Sequence, residues 1–425
     1  MSRLTRALRH RNYRLFFTGQ SLSLVGTWIT RVATSWLVYR LTGSELLLGV
    51  VGFCGQIPTM ILAPFAGVIV DRQDRHRLLV VTQVLSLLQS LALAVLTIEG
   101  AITVRWVLVL QVAQGVINAF DTPARQAFVV EMVEDRADLP NAIALNSAMV
   151  NGSRIIGPSI GGILIAVVGE GWCFMADAVS YLFVVASLLL MRVPRSSGPA
   201  VEARMLAELH DGWRYVRQSL PIRAALISLA IVSTMAMPYT VLMPAFVDNV
   251  LKGGPNTLGF LMAASGAGAL ASGMYLASRR SVVGLGRVVA RATLAFGASL
   301  VMFAFATKFW VALLVLPVVG GAFMMQMAAT NTVLQTLVED RMRGRVMAFY
   351  TMAFFGTAPI GSLLAGVAAD RIGSRWTIAL GGAACIGSGL WLASRLPRLR
   401  AIVHPIYVER GILPVPAVDS GSKTL

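Results

Sequence analysis

The chain has 425 residues, 56% of them hydrophobic and 13% charged, with a formal net charge of +16. Its mean hydropathy of +0.72 belongs to lipid-facing helices and not to a water-soluble core. Charge-free runs repeatedly reach the ~20 residues needed to cross a bilayer, and the ten-residue alternating segments of a membrane barrel are missing, so the expected fold class is an all-α membrane protein.

Taken in order, the first set of predicted spans is 15–39, 46–70, 78–98, 106–120, 142–168 and 172–191, and the second is 224–247, 257–278, 288–307, 309–334, 346–369 and 376–393. Arg3, Arg6, Arg9, Arg11 and Arg14 precede the first span, and every second loop after it is basic: Arg72, Arg75 and Arg77, then Arg125 and Arg136, then the arginines of 192–223, 279–291, 341–345 and the tail. Outside the spans, only Arg40, Arg105, Lys252, Lys308, Arg371 and Arg375 fall on the other side. Such a bias sets orientation by the positive-inside rule. Both termini are therefore expected in the cytoplasm, and the basicity reads as topology, not as a nucleic-acid surface.

Cys54, Cys173 and Cys385 lie far apart within predicted spans and read as small packing residues. His10, His76, His210 and His404 have no partners at ligand spacing. No metal and no cofactor is expected. The first apolar run is too long for a cleaved signal, and its basic flank suits an inward-facing first span.

The stretch 192–223 is the most polar interior segment. Pro194, Ser196, Ser197, Gly198 and Pro199 read as linker, and beyond them Leu206, Leu209, Trp213, Val216 and Leu220 recur at helical spacing, which predicts an amphipathic helix lying along the cytoplasmic membrane surface. The organisation expected is a first six-helix bundle at 1–191, a linker at 192–223, a second six-helix bundle at 224–397 and a cytoplasmic tail at 398–425. The halves echo each other: Met132-Val133-Glu134-Asp135-Arg136 precedes span five and Leu337-Val338-Glu339-Asp340-Arg341 precedes span eleven. Each is followed by a span with a mid-helix proline among glycines, Pro158 and Pro359. Weak symmetry between halves is what a transporter that rocks one repeat against another would carry.

The strongest local motif runs from Gly67 through Asp71, Arg72 and Arg75 to Arg77, between spans two and three. Gly67 is expected to let two helices approach closely, and the arginines can anchor to lipid phosphate or pair with nearby acids. The pattern resembles the signature loop of the major facilitator superfamily, departing from it at Asp74, where that family often has glycine. The resemblance implies gating roles for Gly67, Asp71, Arg72 and Arg75. Residues 366–375, with Gly366, Asp370, Arg371 and Arg375, repeat the pattern on the opposite side, whereas the parallel position at 273–280 lacks the acid. A one-sided cytoplasmic latch is expected.

A closer resemblance is carried by Phe120-Asp121-Thr122-Pro123-Ala124-Arg125-Gln126-Ala127-Phe128, by 139–147, by Arg343-Gly344-Arg345-Val346-Met347 and by the tail 404–414. These are similar to the enterobactin-exporter-like branch of that superfamily. The branch implies twelve spans in two bundles, export of siderophores, macrolides or other drug-like compounds, and drive by protons; Asp121 and Arg125 join the gating set. Gly157-Pro158-Ser159-Ile160-Gly161 satisfies the G-x-S-x-G pattern of hydrolases, but it lies inside an apolar helix far from every histidine, and no enzymatic activity is expected. The same residues resemble the antiporter motif of span five, which implies that Gly157 and Pro158 bend the helix and seal the resting pathway; Ser153 stands where that motif usually has glycine.

Polar stripes at three- and four-residue steps mark the expected substrate path: Gln20, Ser23, Thr27, Arg31 and Thr34 on span one, Gln111, Gln114, Asn118 and Asp121 on span four, and Ser147, Asn151 and Arg154 on span five. The facilitator pattern commonly has arginine at the position of Gln111. Arg31 and Arg154 sit at membrane depth, where an unpaired charge costs at least ~2.5 kcal/mol, so each must face a cavity or a partner such as Asp177. Two guanidinium groups suit carboxylate, phosphate or catecholate oxygens. Asp177 is the acid well inside a span and the expected proton-titrating group. Met235, Met237, Met243, Met324, Met325 and Met327 could form an adaptable apolar wall or simple helix packing.

These readings converge on a secondary active transporter, acting as a monomer in the cytoplasmic membrane, that exports a siderophore-like or drug-like molecule by alternating access coupled to protons. A macrolide or multidrug pump is the alternative within the class, and a non-transporting receptor the alternative outside it.

Overall fold

The computed structural model describes residues 3–133, 135–192, 205–279, 281–410 and 412. It is built from helices: α1 Arg11–Thr42, α2 Glu45–Arg72, α3 Arg75–Ile98, α4 Val104–Glu131, α5 Leu139–Val168, α6 Glu170–Leu189, α7 Met205–Gln218, α8 Leu220–Ile231, α9 Tyr239–Asn249, α10 Pro255–Ser278, α11 Leu285–Ala304, α12 Phe309–Leu337, α13 Asp340–Thr351 and α14 Ala358–Glu409.

Local chemistry sets the boundaries. Gly43 ends α1 in the left-handed region (φ 61°), its N–H returning to the Tyr39 carbonyl at 2.7 Å. Ser44 then caps α2, its side chain accepting from the Leu47 N–H, and Asp74 caps α3 in the same way through the Arg77 N–H. Gly373, at φ 83°, turns α14 back on itself, so that this long helix is two helices joined at a bend.

Among the described residues, nine helical stretches are long and apolar enough to cross a membrane, the stretch from 340 through 409 counting once despite its bend. The long helices α1 and α4 fall outside that set; they carry the polar and arginine positions. Several elements differ from the sequence expectation. The predicted seventh and eleventh spans are interrupted by π turns at Val232–Ala236 and Met352–Gly356. The Ser233 hydroxyl donates to the Phe354 carbonyl at 2.5 Å, so a side chain of the first break satisfies a backbone carbonyl of the second. Helix α14 runs past the predicted end of its span to Glu409, burying Tyr407. The amphipathic segment, expected along the cytoplasmic membrane surface beneath the bundle, packs on α13, which leaves that expectation standing: Trp213 lies 6.0 Å from Phe349 between ring centroids, and Arg345 donates to Asp211 at 3.2 Å. The Leu206 and Leu209 side chains lie outside the described ones.

Helices α1–α6 pack as one group and α8–α14 as another, and the groups meet along two main seams, α2 against α14 and α5 against α10. Each seam is closed by a pair of glycines. A β-carbon on Gly49 would lie 2.7 Å from the Gly366 Cα, and one on Gly366 would lie 2.8 Å from the Gly49 Cα. Gly162 and Gly259 stand in the same reciprocal relation, at 2.9 and 2.8 Å. Only a missing side chain on both partners allows backbones to meet so closely. Both pairs lie near the end of the molecule away from the arginine-rich loops. There the Asn249 amide also bridges the halves, donating to Glu45 at 3.2 Å.

The seams loosen toward the arginine-rich end. Eighteen residues along α2 return to the same helix face at about 100° per residue, and there Gly67 has no atom within 4 Å of a would-be β-carbon. The close approach expected at Gly67 is therefore not made in this conformation. On α5, the face that meets α10 at Gly162 leads down to Ser147 and Ala148, both exposed. The two halves are joined at one end and splayed at the other.

Candidate functional site

The gap between the halves ends at a cluster built from α1, α5 and α9. Arg31 lies some 30 Å along α1 from its arginine-rich end and ~16 Å from the other, at 1.5 Å per residue, yet it is exposed. Its guanidinium sits 4.9 Å from the centroid of Trp28, three residues back on the same helix. Arg154 of α5 lies over the same ring at 5.9 Å. Gly157 makes the arrangement possible: it packs directly on the Trp28 β-carbon, where any side chain would collide. From the second half Tyr239 lies within electrostatic reach of Arg154, and its hydroxyl is 2.9 Å from the Ser265 Oγ. Behind Tyr239 the second half is aromatic, with Phe296, Phe323 and Phe354 in successive ring contact.

Among the described residues neither Arg31 nor Arg154 has an ion pair or hydrogen bond. Two cations over one indole, in a gap reached from the splayed end, present N–H donors of the kind that suit anionic oxygens. The indole face offsets part of their repulsion, about 0.5–1 kcal/mol for each stacked cation.

Asp177 is elsewhere. It is 2% exposed, inside the first half, accepting from Thr30 Oγ1 at 2.8 Å and Ser90 Oγ at 3.0 Å, with Ser180 at 3.4 Å. The pairing with an arginine that the sequence left open is not made. Nor does the α4 stripe face the gap. Gln114 donates to Ser86 and to Asn118, and Asp121 accepts from Thr82 and Gln83 at 3.0 and 2.7 Å with Arg125 at 3.5 Å. Gln111 packs on Gly55 of α2. The partner of α4 is a polar face on α3, formed by Thr82, Gln83, Ser86 and Gln89, all buried. Its three- and four-residue spacing was legible in the sequence and is the signal that the stripe search passed over.

Of the α1 stripe, Thr27 and Arg31 are exposed, while Gln20, Ser23 and Thr34 are buried. On α5, Asn151 bonds back to Ser147 within its own helix. The structure thus brings Arg31 and Arg154 together and adds Trp28 and Tyr239, which sequence reasoning missed. It leaves Gln20, Gln114 and Asn118 outside the gap.

At the arginine-rich end Arg75 pairs with Glu131 at 2.6 Å, tying α3 to α4. Arg72 is exposed, and the Asp71 side chain lies outside the described ones. Asp138 is buried beneath Arg9 and His10, at 2.9 and 3.1 Å. On α5 the Pro158 carbonyl packs on Gly259 across the seam. Ser159 is spent on its own helix, donating to the Ile155 carbonyl, which leaves no nucleophile in the hydrolase-like pentapeptide.

A model of the transmembrane secretion effector family matches residues 4–409. The chain is 26% identical to the staphyloferrin A transporter of Staphylococcus aureus over 396 residues, which is 91% of this chain and 97% of that one. It is 27% identical to the multidrug efflux pump Tap of Mycolicibacterium fortuitum over 394 residues, 91% of this chain and 92% of that one. Among solved structures it resembles a bacterial homologue of the human lysosomal transporter Spinster in an inward-facing, unoccupied conformation, with a TM-score of 0.63 at 13% identity over 97% of this chain and all of that one.

Proposed function

On the premise that the chain belongs to the transmembrane secretion effector family, an efflux branch of the major facilitator superfamily, we propose that it exports a small organic molecule rich in anionic oxygens, of the siderophore type, from the cytoplasm. As a member of that family it is a multi-pass transporter of the plasma membrane and not an enzyme. The observation that carries the cargo class is the pair of guanidinium groups, Arg31 and Arg154, gathered on Trp28 without an acid at the closed end of the gap.

The orientation follows from charge: the splayed, arginine-rich end faces the cytoplasm, and both termini lie there. Twelve spans then fall into two bundles of six, 1–191 and 224–397, around the gap. The structure stands in the inward-facing half of an alternating-access cycle, with the two glycine seams shut toward the outside. Cargo enters from the cytoplasm, its anionic oxygens are held by Arg31 and Arg154 against Trp28, and the outer seams open as the inner end closes. Asp177, enclosed by hydroxyl groups and without a cation, is the group proposed to carry the driving proton. The transporter works as a monomer. Likeness to a staphyloferrin A transporter supports the siderophore class, and likeness to Tap supports multidrug efflux as the second reading.

Uptake of staphyloferrin A and of erythromycin into inside-out vesicles with an acid lumen tests the proposal. Staphyloferrin A is expected to accumulate, with Arg154→Ala abolishing uptake. Accumulation of erythromycin alone would replace the siderophore reading with the drug reading, and movement of neither would remove the proposed cargo class.

A further inference from the structure

The second copy of the loop motif, residues 366–375, lies at the outer seam, and the first residue of α2 meets it there. Glu45 is 8% exposed. One carboxylate oxygen, Oε1, accepts from Asn249 across the two halves at 3.2 Å. The other, Oε2, is buried with no hydrogen-bond partner. Ser374 lies beside the carboxyl, its hydroxyl and backbone N–H both turned toward it as long-range donors, and Asp370 lies within electrostatic reach; both come from the motif. Tyr39 of α1 faces it too, and Tyr39 in turn faces Asp248 and Asn249 at the end of α9.

No cation balances this group. Among the described residues Glu45 has no ion pair; Arg40 is engaged by Glu170 at 2.7 Å, and Arg375 donates to the Ala304 carbonyl. Lys252 and Arg371, the remaining basic residues of the outer loops near it, pair with no acid. A carboxylate closed into a seam beside a second acid, with one oxygen lacking a partner at hydrogen-bond distance, loses hydration that Asn249 and the more distant Ser374 replace only in part. A neutral carboxyl loses far less. One turn further along α2, Gly49 and Gly366 make the contact that closes this seam.

We propose that Glu45 is the proton-dependent clasp of the outer gate: the α2–α14 seam closes with a proton on Glu45 Oε2 and opens as that proton returns to the outer solution. The neutral carboxyl keeps its bond from Asn249 and no longer faces Asp370 as a like charge. Protons arriving from outside therefore favour the inward-facing state, which resets an exporter after its cargo has left. The clasp rests on the alternating-access reading and is independent of Asp177.

The test uses the full chain in nanodiscs, with Cys54, Cys173 and Cys385 replaced by alanine and spin labels on Thr103→Cys and Lys308→Cys, exposed outer positions of the two halves. One proton taken up per closure predicts that the ratio of short to long outer distances falls up to about tenfold per pH unit as the pH rises above the ordinary carboxylate range. Glu45→Gln, which keeps the Asn249 bond, is expected to hold the short distance throughout. Asp370→Asn should move the transition to higher pH, and Asp177→Asn should leave it in place. A Glu45→Gln protein that still follows wild-type pH dependence overturns the clasp, as does a wild-type distance that ignores pH. Gly162→Leu, which props the other seam, separates the two failures. If it lengthens the distance while pH does not, the clasp alone falls; if nothing lengthens it, alternating access falls as well.

Discussion

Arg31 and Arg154 lean on one indole, 4.9 and 5.9 Å from the centroid of Trp28, although they come from different helices and carry the same charge. Repulsion of this kind is tolerated when an anion completes the site. Replacing Arg154 with alanine should abolish export of an anionic cargo and leave membrane insertion intact. A charge-assisted hydrogen bond is worth about 1.5–3 kcal/mol, so binding measured in detergent should weaken roughly 10- to 150-fold. Arg154→Lys should recover only part of this, since an ammonium cannot make the planar two-pronged contact. Unchanged affinity in Arg154→Ala would return that arginine to a structural role.

Trp28 offers a graded test. Its ring supports both cations and is itself held by Gly157. Trp28→Leu keeps an apolar side chain of fair size but removes the π face. About 0.5–1 kcal/mol is at stake for each of the two cations, so the transport KM should rise roughly five- to thirtyfold while the maximal rate changes little. A fall in maximal rate with constant KM would show the ring acting in the conformational change and not in binding.

The glycine seams make a prediction about state. A side chain at Gly162 must displace the backbone of Gly259, and one at Gly49 that of Gly366, so neither valine variant can close the outer end as seen here. Gly162→Val and Gly49→Val are expected to populate outward-open forms. A cysteine placed at position 27 should then react with an impermeant thiol reagent from outside, where the parent protein reacts only from inside. Equal protection in both would mean that these crossings do not seal the pathway.

Much of this was legible in the sequence because the bilayer restricts the backbone to helices and charge to the ends. Arg31 and Arg154 stood out as cations at membrane depth, and the structure places them together. What escaped depends on the faces of helices whose partners no local pattern names. The α4 stripe pointed to a cavity, but α3 offers Thr82, Gln83 and Ser86 to the same residues, and polar faces in lipid seek each other before water. The close approach expected at Gly67 is not made in this structure, where a β-carbon there would meet open space. Tyr239 sits just after a π turn at 232–236 that no residue preference announces.

Asp177 supplies the last prediction, because its surroundings separate charge from structure. Thr30 and Ser90 both donate to its Oδ2, and asparagine keeps an acceptor there, whereas leucine leaves Ser90 only the Phe174 carbonyl and removes the partner of the half-buried Thr30 hydroxyl, at about 1–3 kcal/mol. Asp177→Asn should therefore fold nearly as the parent does and Asp177→Leu should melt earlier. The asparagine cannot take up or release a proton. Net export driven by a pH gradient should lose its pH dependence and most of its rate, while exchange of labelled for unlabelled cargo, which moves no net proton, should persist. Loss of exchange together with net export would place Asp177 in the structural framework, and an unaltered pH profile would move the coupling site to another acid.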